Sequence, residues 1–307
     1  MIKTRSTAVI LSCFQSVPTG IRKAVFIALF RLFYYLSAKQ RLIAIHNLTR
    51  AFPEKSPSEI MRIVRGVYRN LAIVAAEFFD IPSLTEDSLK QRVEVEGMEH
   101  CLNALKKGRG VLLFGGHLGN WELGAAAISL LVKPLMVIYR PLDNPMLENL
   151  VTWVRSSTGN LPLPKDLAMR PMLRFLKNNG ILGLLIDQNV AWQEGVFVDY
   201  FGRLAATTNG MALLALHTGA PAIPCALVRL GSGNYKLLIG KEVELVRTDD
   251  RDADIIANTQ NFTRVVEEMV GRYPDQWLWV HQRWKTKTCQ VPDTVHRRTM
   301  VIPNERS

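Results

Sequence analysis

Residues 110–124 read GVLLFGGHLGNWELG, and this stretch decides the local fold. Its four apolar residues, 111–114, predict a short buried strand, and the paired glycines that follow permit a tight turn and a close backbone approach. Asn120 is a residue type favoured at the N-cap of a helix. The stretch therefore predicts a strand, a turn and a helix in succession, with His117 at the carboxyl end of the strand.

Two side chains of this stretch are candidates for catalysis. On a regular helix, five positions would separate His117 from Glu122 by about 140°, so the two can meet only if His117 precedes the helix. A carboxylate bonded to one imidazole nitrogen fixes the tautomer and makes the other nitrogen more basic. We therefore predict a His117/Glu122 general-base dyad; the alternative is a turn histidine beside a capping carboxylate.

The nucleophile for such a dyad has to come from outside the protein. The sequence contains no Gly-x-Ser-x-Gly elbow that would supply a serine. An alcohol group of a substrate suits a histidine base, which points to acyl transfer.

The rest of the chain alternates short apolar runs with amphipathic segments from about residue 93 onward. Predicted strands cover residues 111–114, 135–139, 181–186, 222–229, 235–239 and 242–245, and predicted helices cover 121–131, 144–157, 170–177, 207–218 and 252–272. Two helices, 40–52 and 56–80, precede them, and Ser56 begins the second with a capping-box pattern. This order predicts an α/β fold whose mixed, largely parallel sheet is flanked by helices.

Polar residues stand at the ends of the predicted strands. Because ligands of α/β folds bind at the carboxyl ends of strands, we expect these residues to line one cleft with the dyad. The residues predicted to bind substrate there are Asn120, Arg140, Arg155, Asp187 and Gln188. Cations in such a cleft can hold phosphate or stabilise an oxyanion.

A metal site is the alternative for this cleft. His117, Glu122 and Asp187 carry suitable ligand atoms, but no second histidine lies at ligand spacing, so we predict no metal and no cofactor. The four cysteines are scattered without a CxxC pair, which argues against a zinc site or a disulfide framework.

Two further segments have predicted roles in the domain. Residues 195–202, GVFVDYFG, are predicted to be a mobile loop that walls an acyl-chain pocket, with a strand edge as the alternative. Residues 277–285, WLWVHQRWK, bring three tryptophans together and are predicted to close the domain.

The net charge of +11 is concentrated at the two ends of the chain. Residues 1–70 hold twelve Lys/Arg and two Asp/Glu, residues 71–280 hold twenty and twenty-three, and residues 281–307 hold six and two. A nucleic-acid binder more often spreads its positive charge over the folded domain. A non-catalytic basic module that docks on membrane or nucleic acid is therefore the weaker hypothesis.

The N-terminal segment is basic and apolar. The runs 8–14 and 24–37 are both shorter than the roughly 20 residues of a bilayer span, so we predict an interfacial helix, with a buried core helix as the alternative. Lys3, Arg5, Arg22 and Lys23 are expected at the lipid headgroups. The predicted organisation is a membrane anchor at 1–38, a catalytic domain at 39–290 and a flexible basic tail at 291–307.

The ordered motifs resemble those of a known family. GGHLGNWE, RPLDNP, Asp187-Gln188, the GVFVDYFG and ATTNG stretch, and WLWVHQRWKT are similar to the lauroyl- and myristoyl-transferring lipid A biosynthesis acyltransferases, which belong to the lysophospholipid acyltransferase superfamily. The resemblance covers roughly residues 40–290. It implies a glycerolipid acyltransferase-like fold on the cytoplasmic face of the inner membrane.

The resemblance also implies roles and substrates. The donor would be acyl carrier protein bearing an acyl chain, and the acceptor a hydroxyl of a Kdo-bearing lipid A precursor. His117 would be the general base and Glu122 its partner. Arg140, Arg155 and Asp187 would line the site.

Two positions depart from the pattern of the family. Residues 189–194 read NVAWQE where relatives tend to be basic, and Asp199 stands where they usually have proline. Acceptor or chain selectivity could be set at either place. A different glycolipid or a lysophospholipid is therefore an alternative acceptor.

Overall fold

The computed structural model describes residues 5–165, 169–231 and 233–291. The predicted tail lies outside these ranges except for Val291, as does Lys3. Four helices form the N-terminal part of the chain: α1 (Arg5–Gln15), α2 (Thr19–Leu36), α3 (Ala38–Ala51) and α4 (Pro57–Phe78). The predicted capping box is present, since the Ser56 hydroxyl accepts from the Glu59 amide while the Glu59 carboxylate accepts from the Ser56 amide.

The remaining helices and the strands alternate along the chain. They are α5 (Glu86–Lys90), β1 (Val93–Glu96), α6 (Met98–Lys106), β2 (Val111–Gly115), α7 (Trp121–Leu131), β3 (Leu135–Tyr139), α8 (Pro145–Ser156), β4 (Leu161–Pro164), α9 (Met169–Lys177), β5 (Ile181–Leu185), β6 (Gly195–Tyr200), β7 (Arg203–Thr208), α10 (Gly210–Thr218), β8 (Ala222–Gly231), β9 (Asn234–Ile239) and α11 (Arg251–Arg272).

Seven strands form one sheet in the order β1-β9-β8-β2-β5-β3-β4. All pairs are parallel except β8 with β9. Every residue of β2 is buried, as expected for a parallel strand covered on both faces. The predicted α/β fold is confirmed. Because β2, β5 and β3 run in the same direction, the residues after their carboxyl ends meet at one edge.

The segment 195–208 is a β-hairpin and not a mobile loop. β6 pairs antiparallel with β7 along its whole length, and Tyr200 and Arg203 close a two-residue turn. Phe201 and Gly202 both have positive φ in this turn, 54° and 71°, as turns of this type require. The sequence predicts a loop here because part of the partner strand, 203–208, is predicted to belong to the next helix.

Two smaller predictions also need correction, and the strands β1 and β4 were not predicted. The helix predicted at 207–218 begins at Gly210, since residues 207 and 208 belong to β7. Residues 242–245 form only a single bridge, Val243 to Ala222. β4 was missed because its sequence, LPLP, contains two prolines; proline is tolerated at a sheet edge, where β4 lies.

The N-terminal helices pack onto the domain through charged side chains. Arg22 is only 3% exposed and pairs with Asp80, and Lys23 pairs with the buried Glu77 at 2.6 Å. The prediction that Arg22 and Lys23 reach lipid headgroups is therefore wrong, because these cations neutralise acids at the end of α4 and just beyond it. No described helix is both long and apolar enough to cross a membrane.

Gly119 shows how tightly the turn before α7 is held against β8. Its φ is +65°, and a Cβ there would lie 1.9 Å from the Leu227 carbonyl oxygen. The following amide, that of Asn120, donates to the same oxygen at 2.9 Å.

We predict that Gly119→Ala destabilises the protein by more than about 3 kcal/mol, because it adds a backbone clash to the strain of positive φ. Gly108→Ala is the matched control, since Gly108 also has positive φ (+69°) but no atom lies within 4 Å of its added Cβ. The control should lose about 1–2 kcal/mol. Denaturant unfolding measures both, and equal losses would contradict the tight-turn explanation.

Candidate active site

His117 lies after β2 and before α7, as predicted, and its ring is held by Asp187. The Nδ1 atom of His117 lies 2.8 Å from Asp187 Oδ1, and the backbone amide of His117 donates to Oδ2 at 2.7 Å. Trp277 Nε1 also donates to Oδ2, at 2.7 Å. Because the carboxylate accepts at Nδ1, that nitrogen carries the ring proton and Nε2 is unprotonated in the neutral ring.

This pairing changes the acidity of both groups. Burial acts to lower the pKa of His117, but the charge and hydrogen bond of Asp187 override it and raise the pKa above the ordinary value. For Asp187, burial acts to raise the pKa, and the charge and hydrogen bonds of His117 outweigh it and lower the pKa to about 2. His117 is thus a strengthened base beside a carboxylate that stays ionised.

Glu122 does not hold His117. It forms a two-pronged ion pair with Arg155, with Nε 3.0 Å from Oε2 and Nη2 2.6 Å from Oε1. The predicted His117/Glu122 contact is replaced by His117/Asp187, because Glu122 in the first turn of α7 faces α8 while β5 delivers Asp187 beneath the histidine. Glu122 still acts on the pKa of His117 through its charge.

Arg155 is in turn fixed in the cleft. Burial acts to lower its pKa, and the charge of Glu122 reverses this and raises it. The guanidinium lies 5.5 Å from the centre of the Tyr139 ring, an arrangement typical of cation–π contacts. Arg155 is therefore a permanent, positioned cation on the same cavity as His117.

Asn120 is the N-cap of α7, as predicted, and its side chain points into the protein. Its Oδ1 accepts from the Leu123 amide at 3.1 Å and its Nδ2 donates to Glu77 Oε2 at 2.7 Å, and the residue is 2% exposed. The predicted contact of Asn120 with substrate is replaced by this structural role. Tyr235 also donates to Glu77 Oε2, at 2.5 Å.

A cavity of about 1260 Å³ opens beside His117. Ordinary small-ligand sites measure about 300–1,000 Å³, so this cavity suits a larger substrate. Four of the predicted site residues line it together with His117: Glu122, Arg140, Arg155 and Gln188. The amide Nε2 of Gln188 lies 3.3 Å from His117 Nε2, on the free side of the ring. Asp187 lies behind the histidine and not on the cavity wall.

The loop after β5 forms part of the same wall. Asn189 is tied to the C-terminal segment, since its amide donates to His281 Nε2 at 3.0 Å and its side chain exchanges two hydrogen bonds with Thr286. Asp199, in contrast, accepts from the Gly202 amide at the hairpin turn. Of the two departures from the family pattern, only residues 189–194 contribute to the cavity lining.

Sequence reasoning missed the residues behind the site. The sequence predicts that Trp277 helps to close the domain. For Asn70 and Glu77 of α4 it predicts only that they lie in a helix. Asn70 donates to the carbonyl oxygens of Gly119 and Gln276 at 2.9 and 3.1 Å. Asn70 and Glu77 are polar residues at otherwise apolar positions of an amphipathic helix, and this pattern could have indicated their role.

Within the described residues, no group of three or more His, Cys, Asp or Glu side chains is placed to hold a metal ion. The arrangement consists of a buried carboxylate, a histidine with one free nitrogen, and cations on the cavity wall. It can remove a proton from a bound hydroxyl and stabilise negative charge beside it.

Asp187→Asn should lower kcat about a hundred- to ten-thousand-fold, because His117 loses the carboxylate that orients it and strengthens it as a base. Removing that charge leaves burial dominant, so the pKa of His117 falls and the acid limb of the pH–rate profile moves to lower pH. Glu122→Gln is the comparison variant. Its acid limb should shift less, because Glu122 bonds to Arg155, and a larger shift in Glu122→Gln than in Asp187→Asn would contradict the assignment.

Comparisons with known proteins identify the family of the chain. A family model described as bacterial lipid A biosynthesis acyltransferase matches residues 6–286. The lipid A biosynthesis lauroyltransferase of Escherichia coli (strain K12) is 32% identical over 257 residues, which cover 83% of this chain and 82% of that protein. The palmitoleoyltransferase of the same strain is 28% identical over 251 residues, 81% of this chain and 80% of that protein.

A relative named for a different activity also matches. The phosphatidylinositol mannoside acyltransferase of Mycolicibacterium smegmatis (strain ATCC 700084 / mc(2)155) is 26% identical over 243 residues, which cover 78% of this chain and 77% of that protein. The family model nevertheless spans nearly the whole chain and confirms the resemblance found in the sequence. The protein is an acyltransferase and belongs to the bacterial lipid A biosynthesis acyltransferase family.

Proposed function

We propose that this acyltransferase moves a fatty acyl chain from the thioester of acyl carrier protein to a hydroxyl of a Kdo-bearing lipid A precursor. The proposal is supported by the position of His117. Its Nδ1 is hydrogen-bonded to the buried Asp187, while its Nε2 faces a large cavity. The names of the relatives support the lipid A precursor as acceptor.

His117 Nε2 takes the proton of the acceptor hydroxyl as the oxygen attacks the thioester carbonyl. The tetrahedral intermediate carries negative charge on the former carbonyl oxygen, and its carbon–sulfur bond then breaks. The thiolate leaves with the proton held by His117, so an ester and a free thiol are formed and the histidine is regenerated. Asp187 stabilises the imidazolium that exists between the two proton transfers.

Donors for the intermediate are available on the cavity wall. Gln188 presents an amide N–H 3.3 Å from His117 Nε2, close to where the carbonyl oxygen has to lie. Arg155 supplies a positive charge whose position is fixed by Glu122. Preorganised donors of this kind stabilise developing charge without reorganising during the reaction.

The cavity has two kinds of wall. Apolar residues of α2, α4 and α7, among them Phe30, Val74 and Ala126, suit an acyl chain. Arg140 and Lys165 lie on the polar part, and Arg140 is exposed. Phosphate and carboxylate groups of a lipid A precursor suit these cations.

The membrane face of the protein is proposed to be α2. Ile21, Val25, Leu29, Leu32 and Leu36 recur at helical spacing and are each at least 50% exposed. An exposed apolar stripe of this length on one helix is typical of interfacial binding. Because Phe30 of the same helix lines the cavity, a lipid can pass from the bilayer to His117 along α2. We place the protein at the cytoplasmic face of the inner membrane.

The acceptor is less closely fixed than the reaction. The relative from Mycolicibacterium smegmatis is named for a different glycolipid, and residues 189–194 depart from the family pattern on the cavity wall. A second glycolipid class is therefore the competing acceptor, and the assay below distinguishes the two.

The direct test is acyl transfer by purified protein in detergent, with acyl carrier protein or coenzyme A thioesters as donor and either a Kdo-bearing lipid A precursor or phosphatidylinositol mannoside as acceptor. Wild type should add one acyl chain by mass spectrometry and should prefer the carrier-protein donor. His117→Ala should lose at least about a hundred-fold in rate. His100→Ala, a surface histidine beside Glu99, is the control and should retain activity.

Two outcomes would contradict the proposal. Full activity of His117→Ala would remove the histidine from the chemistry. Transfer to phosphatidylinositol mannoside but not to the lipid A precursor would reassign the acceptor.

The membrane placement is tested separately by vesicle flotation. Leu29→Asp/Leu32→Asp should abolish most vesicle binding, because charged side chains replace apolar ones on the proposed membrane face. Leu102→Asp alters an exposed leucine on α6 (44% exposed) and should bind as wild type does. Equal binding by all three proteins would place the membrane contact elsewhere.

A further inference from the structure

A second group of positive charges lies away from the catalytic residues. It consists of His46 and Arg50 on α3, Arg203 at the start of β7, and Lys287 in the C-terminal segment, and we name it the cation cluster. His46, Arg50 and Lys287 are exposed, and Arg203 is half-buried. The members lie close enough for their charges to act on one another, since burial and then the charges of Arg50, Arg203 and Lys287 lower the pKa of His46.

No described carboxylate neutralises this cluster. Among residues 5–165, 169–231 and 233–291, neither Arg50, Arg203 nor Lys287 forms a salt bridge. Burial and then the neighbouring Arg50 lower the pKa of Arg203. Uncompensated charges in one place repel one another, so the fold maintains this arrangement at a cost.

Two buried N–H donors accompany the charges. The Arg203 guanidinium stacks 4.7 Å from the centre of the Trp284 ring. Arg203 Nη1 and Trp284 Nε1 are both buried and make no hydrogen bond within the described part of the chain, and Trp284 is only 6% exposed. Buried donors are normally satisfied, so the fold keeps the Arg203 guanidinium stacked on Trp284 at a cost.

The hairpin turn holds Arg203 in place. Phe201 adopts a positive φ that is unusual for an aromatic residue, and its ring is fixed between Phe52 (5.3 Å) and Trp279 (5.6 Å). Asp199 accepts from the Gly202 amide across the turn. Arg203 is thus presented by a rigid element, as recognition of a defined anion requires.

Exposed apolar residues lead along the chain from the proposed membrane face to the cluster. The stripe of α2 ends at Leu36, which is 74% exposed, and α3 follows with Leu42 at 60%. His46 lies four residues after Leu42 and Arg50 eight residues after it, so they lie about 6 and 12 Å further along the same face of α3. The headgroup layer of a bilayer is about 5–8 Å thick on each side, similar to the distance of about 6 Å from Leu42 to His46.

We propose that the cation cluster binds the phosphate of an anionic membrane lipid while α2 and Leu42 contact the hydrocarbon. The half-buried Arg203, held by its stack on Trp284, binds the phosphate, and Arg50 and Lys287 supply charge at its rim. The proposal rests on the membrane placement given under the proposed function. It adds a headgroup site outside the catalytic cavity, which would orient the cavity mouth toward the bilayer.

The test is flotation of the full-length protein with phosphatidylcholine vesicles that contain or lack phosphatidic acid. Wild type should bind the anionic vesicles more tightly. Arg50→Gln/Lys287→Gln should weaken that binding about 10- to 30-fold, because each cation near an anionic surface contributes about a five-fold factor, and should change binding to neutral vesicles little. Both residues are exposed, so the variant is expected to fold.

Two further variants make the test specific. Lys106→Gln/Arg109→Gln removes two exposed cations near the amino end of β2, at the opposite sheet edge from His117, and should lower anionic binding less than about 3-fold. Arg203→Lys keeps the charge but removes the planar guanidinium that stacks on Trp284, and should weaken anionic binding several-fold. If Arg203→Lys binds as wild type does, the built phosphate site is overturned and only diffuse attraction remains.

Acyl transfer in detergent separates this proposal from the proposed function. Arg50→Gln/Lys287→Gln should retain wild-type transfer there, whereas failure of the proposed function would appear in wild type itself. A raised KM for acyl carrier protein with unchanged vesicle binding would assign the cluster to the carrier and overturn the lipid site. Equal binding of wild type to neutral and anionic vesicles would also overturn it.

Discussion

The site depends on the contact between Asp187 and His117. Asp187 is buried, yet its two oxygens accept from the His117 ring, the His117 backbone and Trp277. A buried carboxylate is tolerated only when it is paired and fully hydrogen-bonded. One interaction therefore fixes the tautomer of the base, the backbone of the turn and the position of the C-terminal segment. A glycine at 116 suits this geometry, since a Cβ there would lie 3.0 Å from Asp187 Oδ2, a tight contact.

The turn is held from the other side by α4. Glu77 joins three parts of the molecule, because its carboxylate contacts Lys23 of α2, Asn120 at the start of α7 and Tyr235 of β9. Asn70 adds hydrogen bonds to the carbonyls of Gly119 and Gln276. The helix that carries the exposed apolar stripe is thus connected to the catalytic turn through a single buried acid. A shift of α2 would therefore move Glu77 and, through it, Asn120 at the N-cap of α7.

Local sequence patterns were enough to predict the elements around the site. Residues 121–131 and 135–139 are helix and strand with the predicted bounds, and His117 precedes the helix as the spacing required. The residues brought to the cavity were also largely predictable, since strand ends meet at one edge of a parallel sheet. What the patterns could not give was the pairing of charges within the cleft. Asp187 is 70 residues from His117, and the register of β2 with β5 decides that it lies beneath the ring.

Glu122 is a second residue whose charged partner could not be predicted from local sequence. It is close to His117 in sequence, but the position of α8 brings Arg155 to it and determines its partner. The hairpin at 195–208 was missed because strand pairing, and not composition, separates a strand from an apolar loop. Asn120 was recognised as a cap, yet its second bond to Glu77 needs α4 in place.

The central claim is that His117 is a base with Asp187 as its partner. Nitrogen NMR of protein with ¹⁵N-labelled histidine measures this directly, since it reports which ring nitrogen carries the proton. At high pH, Nδ1 of His117 should be protonated and Nε2 unprotonated. The pKa of His117 should lie above the ordinary histidine value. A neutral ring protonated at Nε2, or a pKa below the ordinary value, would contradict it.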